Sequence, residues 1–123
     1  DVRLVTPGVP DKKVVYRLTR SYYGPLLKAG VRIYEYTPGF IHAKSYISDD
    51  DTGIVGTINM DFRSLYLHFE CGTYMYRTSA LAALKADALE TIAKSLEVSE
   101  KEVSRSSFGR LLDAVLRVFA PLC

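Results

Sequence analysis

The sequence has few cysteines and no long apolar run, and each shortage excludes a class of protein. Its 123 residues include two cysteines, Cys71 and Cys123, which lie far apart and outside any Cys-x-x-Cys pair. This spacing excludes a disulfide-stapled scaffold and a zinc finger, and it is typical of a reducing compartment. No stretch approaches about 18 uninterrupted apolar residues, so we expect no transmembrane helix within these bounds.

The net charge is small but unevenly distributed along the chain. The formal charge is +2 at neutral pH. Residues 1–32 carry seven Lys or Arg against two Asp, whereas residues 33–75 carry two basic and six acidic residues. The basic excess at one end can gather an anionic partner, but from charge alone a solvated helix face is the favoured interpretation.

Hydrophobic periodicity predicts an α/β (α+β) fold in which helices cover one mixed sheet. We expect a single domain over residues 1–123, since the sequence shows no repeat and no linker. The expected strands are residues 2–6, 31–36, 41–48, 54–57 and 67–77. The expected helices are residues 12–29 with Asp11 as N-cap and an interruption at Gly24-Pro25, 80–96, a short one opened by a Ser99–Glu102 capping box, and 108–119. Because Asp1 opens directly into a strand, we expect a fragment of a longer protein.

The residues whose chemistry stands out lie between positions 40 and 70. His42 and Lys44 are two apart on an expected strand, so both side chains leave the same face. Asn59 follows the return strand of an expected hairpin, which can bring it back beside them. Glu70 lies on the next expected strand and can reach the histidine. We therefore predict that these four residues share one pocket.

These residue types suit a phosphate diester as substrate. An imidazole can attack phosphorus and hold it as a covalent phosphoramidate, which splits one difficult displacement into two easier ones. An ammonium and an amide on the non-bridging oxygens stabilise the charge that develops. A carboxylate bonded to the far ring nitrogen fixes the tautomer. This chemistry needs no metal and no cofactor.

The spacing of these residues resembles the HxKxxxxD…G(S/T)xN signature of the phospholipase D superfamily. Here the signature reads His42-Ala43-Lys44, Asp49 and Gly56-Thr57-x-Asn59. The match extends through Asn59-x-Asp61-x-Arg63-Ser64 to Phe69-Glu70. The flanks at 34–44 and 63–70, with the ends at 6–13 and 119–122, resemble the carboxyl-terminal half of a bacterial cardiolipin synthase.

The resemblance implies a phospholipase D-like fold and a two-step phosphatidyl transfer. Members carry two such motifs, and one histidine takes the phosphatidyl group from phosphatidylglycerol while its counterpart protonates the departing glycerol. A second phosphatidylglycerol then attacks and yields cardiolipin. Carried onto this chain, His42 is one of the two histidines, Lys44 and Asn59 bind phosphate, and Glu70 orients His42. Motif or structural support is assigned to Asp49, Thr57, Asp61, Arg63 and Ser64.

The resemblance also implies partners, because this chain carries one motif where the family carries two. The second motif would come from a missing amino-terminal half or from a second copy of this chain, and we expect the chain to be inactive without it. The implied setting is a membrane surface at the cytoplasmic face of the bacterial membrane. No nucleic acid is expected in this interpretation.

Two other functions remain open from the sequence. A nuclease of the same superfamily acts as a homodimer with one motif per chain, which suits this length. Alternatively, the chain is a non-catalytic module that supports a partner half or binds anionic lipid headgroups. The basic residues proposed for that binding are Lys12, Lys13, Arg17 and Arg20. His68 lies near Glu70 but has no lysine two residues on, so we interpret it as supporting or structural.

Overall fold

The computed structural model describes residues 1–103 and 107–122, and it confirms the mixed α/β class. The strands are β1 (Arg3–Pro7), β2 (Arg32–Tyr36), β3 (Ser45–Ser48), β4 (Thr52–Gly56), β5 (Gly72–Tyr76) and β6 (Ser95–Glu97). The α-helices are α1 (Lys13–Ser21), α2 (Tyr23–Lys28), α3 (Phe62–Tyr66), α4 (Ala80–Ala93), α5 (Glu100–Val103) and α6 (Ser107–Val118). In the described part of the chain, no helix combines the length and hydropathy that spanning a bilayer requires.

The strands form two three-stranded sheets, so the expectation of one continuous sheet is wrong. The first sheet has the order β1-β2-β6 and belongs to a compact unit built from residues 1–41 and the described residues from Lys94 onward. The second sheet has the order β3-β4-β5 and belongs to a unit of residues 42–93. The candidate site residues all lie in the second unit.

The first unit is a parallel strand pair with an added antiparallel strand. Parallel strands cannot be joined by a tight turn, and here α1 and α2 provide the crossover between β1 and β2. β6 pairs antiparallel with β2. The buried centre of this unit consists of Tyr23, Ile33 and Val98. The Tyr23 hydroxyl is hydrogen-bonded to Thr6 at 2.7 Å and donates to Glu35 at 3.1 Å, so its burial leaves no polar atom unsatisfied.

The second unit is an antiparallel meander with α4 packed on it. β4 lies between β3 and β5, and the β3–β4 turn holds Asp49 and Asp50 at φ 49° and 65°. A side chain at Gly53 would meet Leu81 of α4 at 2.6 Å, which shows how closely this helix approaches β4. Cys71 is an exposed free thiol just before β5, and Cys123 lies outside the described residues.

Several predicted boundaries differ from the structure for identifiable reasons. The first helix breaks at Tyr22, close to the interruption that Gly24-Pro25 predicts, because Pro25 falls in the first turn of α2, where its missing N–H costs little. The N-cap of α1 is Lys12, so the expectation that Asp11 caps this helix is wrong. The helix expected over 80–96 ends at Ala93 because residues 95–97 pair with β2. Half of the capping box is confirmed: Glu102 accepts hydrogen bonds from the backbone N–H and the hydroxyl of Ser99, whereas the Glu102 N–H donates to the Ser99 carbonyl oxygen rather than to its hydroxyl.

Candidate active site

Three backbone segments of the second unit meet at Gly56. Its N–H donates to the carbonyl oxygen of Lys44 at 3.1 Å, and the next residue, Thr57, donates its N–H to the carbonyl of Cys71 at 2.9 Å. A Cβ at position 56 would lie 2.2 Å from that Cys71 oxygen and 2.5 Å from the Cα of Gly72. Only glycine allows the strands to approach so closely. The motif glycine therefore joins the segments that carry Lys44, Thr57 and Cys71.

His42 and Lys44 are in direct contact. The Lys44 ammonium lies 2.6 Å from Nδ1 and 3.0 Å from Nε2 of His42, and it donates to the His42 carbonyl oxygen at 2.8 Å. Lys44 Nζ lies within hydrogen-bonding distance of both ring nitrogens, and the tautomer of His42 decides which of them accepts. The two residues precede β3 rather than lie on it, because β3 begins at Ser45. The expectation of a strand from Ile41 is therefore wrong.

The Thr57 hydroxyl holds Glu70. Thr57 Oγ1 donates to Glu70 Oε2 at 2.5 Å, and the same Thr57 oxygen accepts the N–H of Cys71 at 3.0 Å. The side chain of Ser64, a buried residue, is the second group that lowers the pKa of Glu70. Glu70 lies two residues before β5 begins at Gly72, so the expectation that it sits on a strand starting near Leu67 is wrong.

The remaining signature residues occupy different places. Asn59 has an exposed side chain in the segment between β4 and α3, and no described residue lies within hydrogen-bonding distance of its amide. Asp49 lies in the β3–β4 turn, where it accepts a hydrogen bond from Ser48 at 3.2 Å. The length of β3, about 13 Å, separates this turn from Lys44. The geometry thus gives Asp49 a place in the hairpin turn.

The residues after Asn59 build α3. Asp61 is its N-cap and accepts the N–H of Ser64 at 2.7 Å, so a partly buried hydrogen bond from the backbone to the carboxylate fixes the first turn. Arg63 donates from Nε (3.0 Å) and Nη2 (2.7 Å) to Nε2 of His68. Asp61 and Ser64 thus support the loop that leads to Glu70, and Arg63 holds His68.

Comparison with known proteins identifies the family. The family described as "Cardiolipin synthase, PLD-like domain" matches residues 1–92. The chain belongs to this family. Over 123 residues it is 50% identical to an uncharacterised protein of Streptococcus mutans, with 99% of this chain and 27% of the relative covered. It is 41% identical to a cardiolipin synthase of Alkalihalophilus pseudofirmus and 39% identical to one of Halalkalibacterium halodurans, with 99% of this chain and 24% of each relative covered.

The chain covers only part of each relative that it matches. The chain spans about a quarter of the length of the curated relatives that it matches. No solved structure matches it. The matched residues 1–92 include every candidate site residue of this cardiolipin synthase PLD-like domain.

The electrostatics of the PLD-like domain keep Glu70 ionised. The hydrogen bond from Thr57 lowers the pKa of this carboxyl most, and the bond from Ser64 lowers it further. The charges of His68 and Lys44 act in the same direction. Glu70 is therefore an anion at neutral pH.

Two small residues of the site were missed by sequence reasoning. The Cys71 carbonyl oxygen accepts the N–H of Thr57, and the Cys71 N–H donates to the Thr57 hydroxyl. Gly72 lies directly opposite Gly56 in the strand pair. The signal that could have indicated them is a pair of glycines at facing positions of an antiparallel strand pair.

Among the described residues, no group of three or more His, Cys, Asp or Glu is arranged to hold a metal ion.

Proposed function

We propose that this chain supplies one of the two histidine half-sites of a phosphatidyl transferase. The reaction joins two phosphatidylglycerol molecules into cardiolipin and releases glycerol. Membership of the cardiolipin synthase, PLD-like domain family supports the substrate class. The contact between the Lys44 ammonium and the His42 ring is the single observation that carries the proposal for this chain.

That contact suits phosphoryl transfer in two ways. An imidazole nitrogen that accepts a hydrogen bond from an ammonium keeps the lone pair that a nucleophile or a proton acceptor requires. The ammonium, held beside the ring, can in turn bind the non-bridging oxygens of a phosphate that reaches the imidazole. The exposed amide of Asn59 can add a neutral donor to those oxygens. His42, Lys44 and Asn59 are the proposed phosphate site.

The reaction proceeds in two balanced displacements. A histidine nitrogen attacks phosphorus, the N–P bond forms as the bond to the glycerol oxygen breaks, and the second histidine gives that oxygen its proton. The hydroxyl of another phosphatidylglycerol then attacks phosphorus, passes its proton to the second histidine, and breaks the N–P bond. His42 fills one role and the histidine of the other half fills the second. Ionised Glu70 is proposed to orient His42 and to stabilise it when it is protonated.

The second histidine must come from outside this chain's single motif. We propose that it comes from the rest of a longer protein or from a second copy of this chain, at the cytoplasmic face of a bacterial membrane. The alternative in which four basic residues bind lipid headgroups has less support. Arg17 is paired with Asp113 at 3.2 Å, and Arg20 lies 3.6 Å from Glu35.

A chimera tests the proposal. The aligned quarter of the Alkalihalophilus pseudofirmus cardiolipin synthase is replaced by this chain, and cardiolipin formed from labelled phosphatidylglycerol is measured. We expect His42→Ala to reduce the rate by at least about a thousandfold, whereas His68→Ala retains most of it. A His42→Ala chimera that makes cardiolipin at the parent rate refutes the proposal.

A second assay separates the proposal from the nuclease alternative. The 123-residue chain alone is given single-stranded DNA and, separately, labelled phosphatidylglycerol. If the chain cleaves DNA and His42→Ala abolishes that cleavage, the result supports the homodimeric nuclease and contradicts phosphatidyl transfer. No cleavage of DNA, together with an active chimera, is the expected result.

A further inference from the structure

The segment that carries Asn59 is tied to the sheet of the second unit by the hydroxyl of a tyrosine. Tyr46, on β3, donates this hydroxyl to the carbonyl oxygen of Ile58 at 2.9 Å. Within the part of the chain that the structure describes, it is the one hydrogen bond that reaches residues 58–60. The backbone immediately before Asn59 is therefore held by the Tyr46 side chain.

This bond requires the chain to turn back after β4. Tyr46 is paired with Ile54 across the hairpin, and Ile58 lies four residues further along the chain. A straight continuation of β4 would carry Ile58 about 13 Å beyond that pair, which is farther than a tyrosine side chain extends. The hydroxyl meets the Ile58 carbonyl because the segment after Gly56 folds back toward Tyr46.

The turn brings this segment to the face of the sheet that carries Lys44. The N–H of Gly56 bonds the Lys44 carbonyl, so the β3–β4 pairing extends one position beyond β3. Lys44 and Tyr46 are two apart in this paired segment, and alternate side chains leave the same face of a sheet. The Ile58 carbonyl is bonded on that face, and Asn59 is the next residue in the chain.

The Tyr46 hydroxyl stays a donor at any pH near neutrality. Burial raises the pKa of this hydroxyl above its ordinary range, and the negative charge of Asp61 raises it further. Replacing Tyr46 by phenylalanine keeps the ring in its half-buried place and removes only the donor. Tyr46→Phe is therefore a selective probe of the bond to Ile58.

We propose that Tyr46 is a positioning residue that holds the Asn59 segment at the proposed phosphate site. The proposal rests on the proposed function, because Tyr46 acts on the non-bridging oxygens only through the amide of Asn59. A donor that is fixed before the substrate arrives needs no reordering as charge develops, and this is how fixed donors stabilise a transition state.

A double-mutant cycle in the chimera tests this role through the rate of cardiolipin formation. We expect Asn59→Ala to lower the rate about a hundredfold, as the loss of a donor to developing charge does. Tyr46→Phe should lower it about tenfold, because a displaced donor loses part of the same effect. In the Asn59→Ala background, Tyr46→Phe should cost less than about twofold, since no amide is left to position. A further loss of about tenfold in the double variant overturns the proposal.

Tyr23→Phe is the matched control for a general loss of stability. It also removes the hydroxyl of a tyrosine that is hydrogen-bonded in the fold, but in the first unit. We expect its chimera to keep the parent rate within about twofold. A loss as large as that of Tyr46→Phe would mean that the assay reports stability, and it would count against positioning.

Nuclear magnetic resonance on the 123-residue chain supplies a readout that does not need the reaction. In Tyr46→Phe, the heteronuclear NOE of the Asn59 backbone amide should fall, whereas that of Thr73 on β5 should stay unchanged. An unchanged value at Asn59, or an equal fall at both residues, overturns the proposal whatever the chimera does. If the chimera is inactive but Asn59 alone loses order in Tyr46→Phe, phosphatidyl transfer is refuted and the positioning of Asn59 by Tyr46 is supported.

Discussion

Replacing Gly56 by alanine should separate the segments that meet at the candidate site. The added Cβ would lie 2.2 Å from the carbonyl oxygen of Cys71 and 2.5 Å from the Cα of Gly72. Both are backbone atoms, so neither can move aside without opening β4 from β5. The N–H of Gly56 also holds the carbonyl of Lys44. The substitution therefore displaces Lys44 from Thr57 as well as one strand from the other.

The size of the effect follows from two contributions. Overpacking at a site that cannot relax costs about 1–3 kcal/mol. Opening the strands also weakens the hydrogen bonds between Thr57 and Cys71, at 2.9 and 3.0 Å, each worth about 1 kcal/mol. We expect Gly56→Ala to lower the free energy of unfolding by about 3 kcal/mol. For a chain of this size that corresponds to a fall in melting temperature of about 10 °C.

Two other glycines provide graded controls for the melting experiment. Gly39→Ala should leave the melting temperature within about 2 °C, because no described atom lies within 4 Å of its Cβ position. Gly72→Ala should fall between the two, since its Cβ would meet side-chain ends of Ile54 and Ile58 at 3.3 Å, and those can rotate away. The reasoning is refuted if Gly56→Ala and Gly39→Ala have the same melting temperature.

Two further predictions concern titration and burial. Because its pKa lies below the ordinary 4.5, ionised Glu70 stabilises the fold above pH 4.5, and this contribution is lost as the pH falls through the lower folded value. Thr57→Val should raise the pKa of Glu70 toward 4.5, seen in its carboxyl carbon NMR shift against pH, and an unchanged midpoint would contradict the assigned hydrogen bond. Tyr23→Phe should lower the free energy of unfolding by about 1–2 kcal/mol in urea titration, because Glu35 loses a buried donor. Tyr74→Phe, on an exposed residue of β5, should change it by less than about 0.5 kcal/mol, and equal losses would argue against the buried bond.

Local patterns predicted the fold class and most elements, because they depend on neighbours in the sequence. The alternation over residues 31–36 gave β2 within one residue, and the acidic turn at 49–51 gave the position of the β3–β4 turn, although β3 begins four residues later than expected. The division into two sheets was not predictable in this way. It depends on residues 95–97 pairing with β2, about sixty positions earlier, and no local periodicity encodes that pairing.

The candidate site was likewise predictable where its contacts are local in the sequence and unpredictable where they depend on strand pairing. The contact between His42 and Lys44 follows from their two-residue spacing in an extended segment, even though that segment is not part of β3. The hydroxyl groups around Glu70 were not predictable, because they depend on the register that sets Gly56 opposite Gly72. The catalytic roles of these residues stay predictions that the chimera tests.

The geometry of α3 explains why one short segment can serve both the site and a surface. Asp61 caps the helix by accepting the N–H of the residue three positions on, so the cap fixes Ser64 at the third helical position with its hydroxyl toward Glu70. At 3.6 residues per turn, positions 62 and 66 then lie about 160° away from Ser64. The exposure of Phe62 and Tyr66 is therefore a consequence of how Ser64 is placed. Polar substitution on that outer face leaves the Asp61 cap and the hydrogen bond from Thr57 to Glu70 intact, so the outer face of α3 and the site chemistry can be perturbed separately.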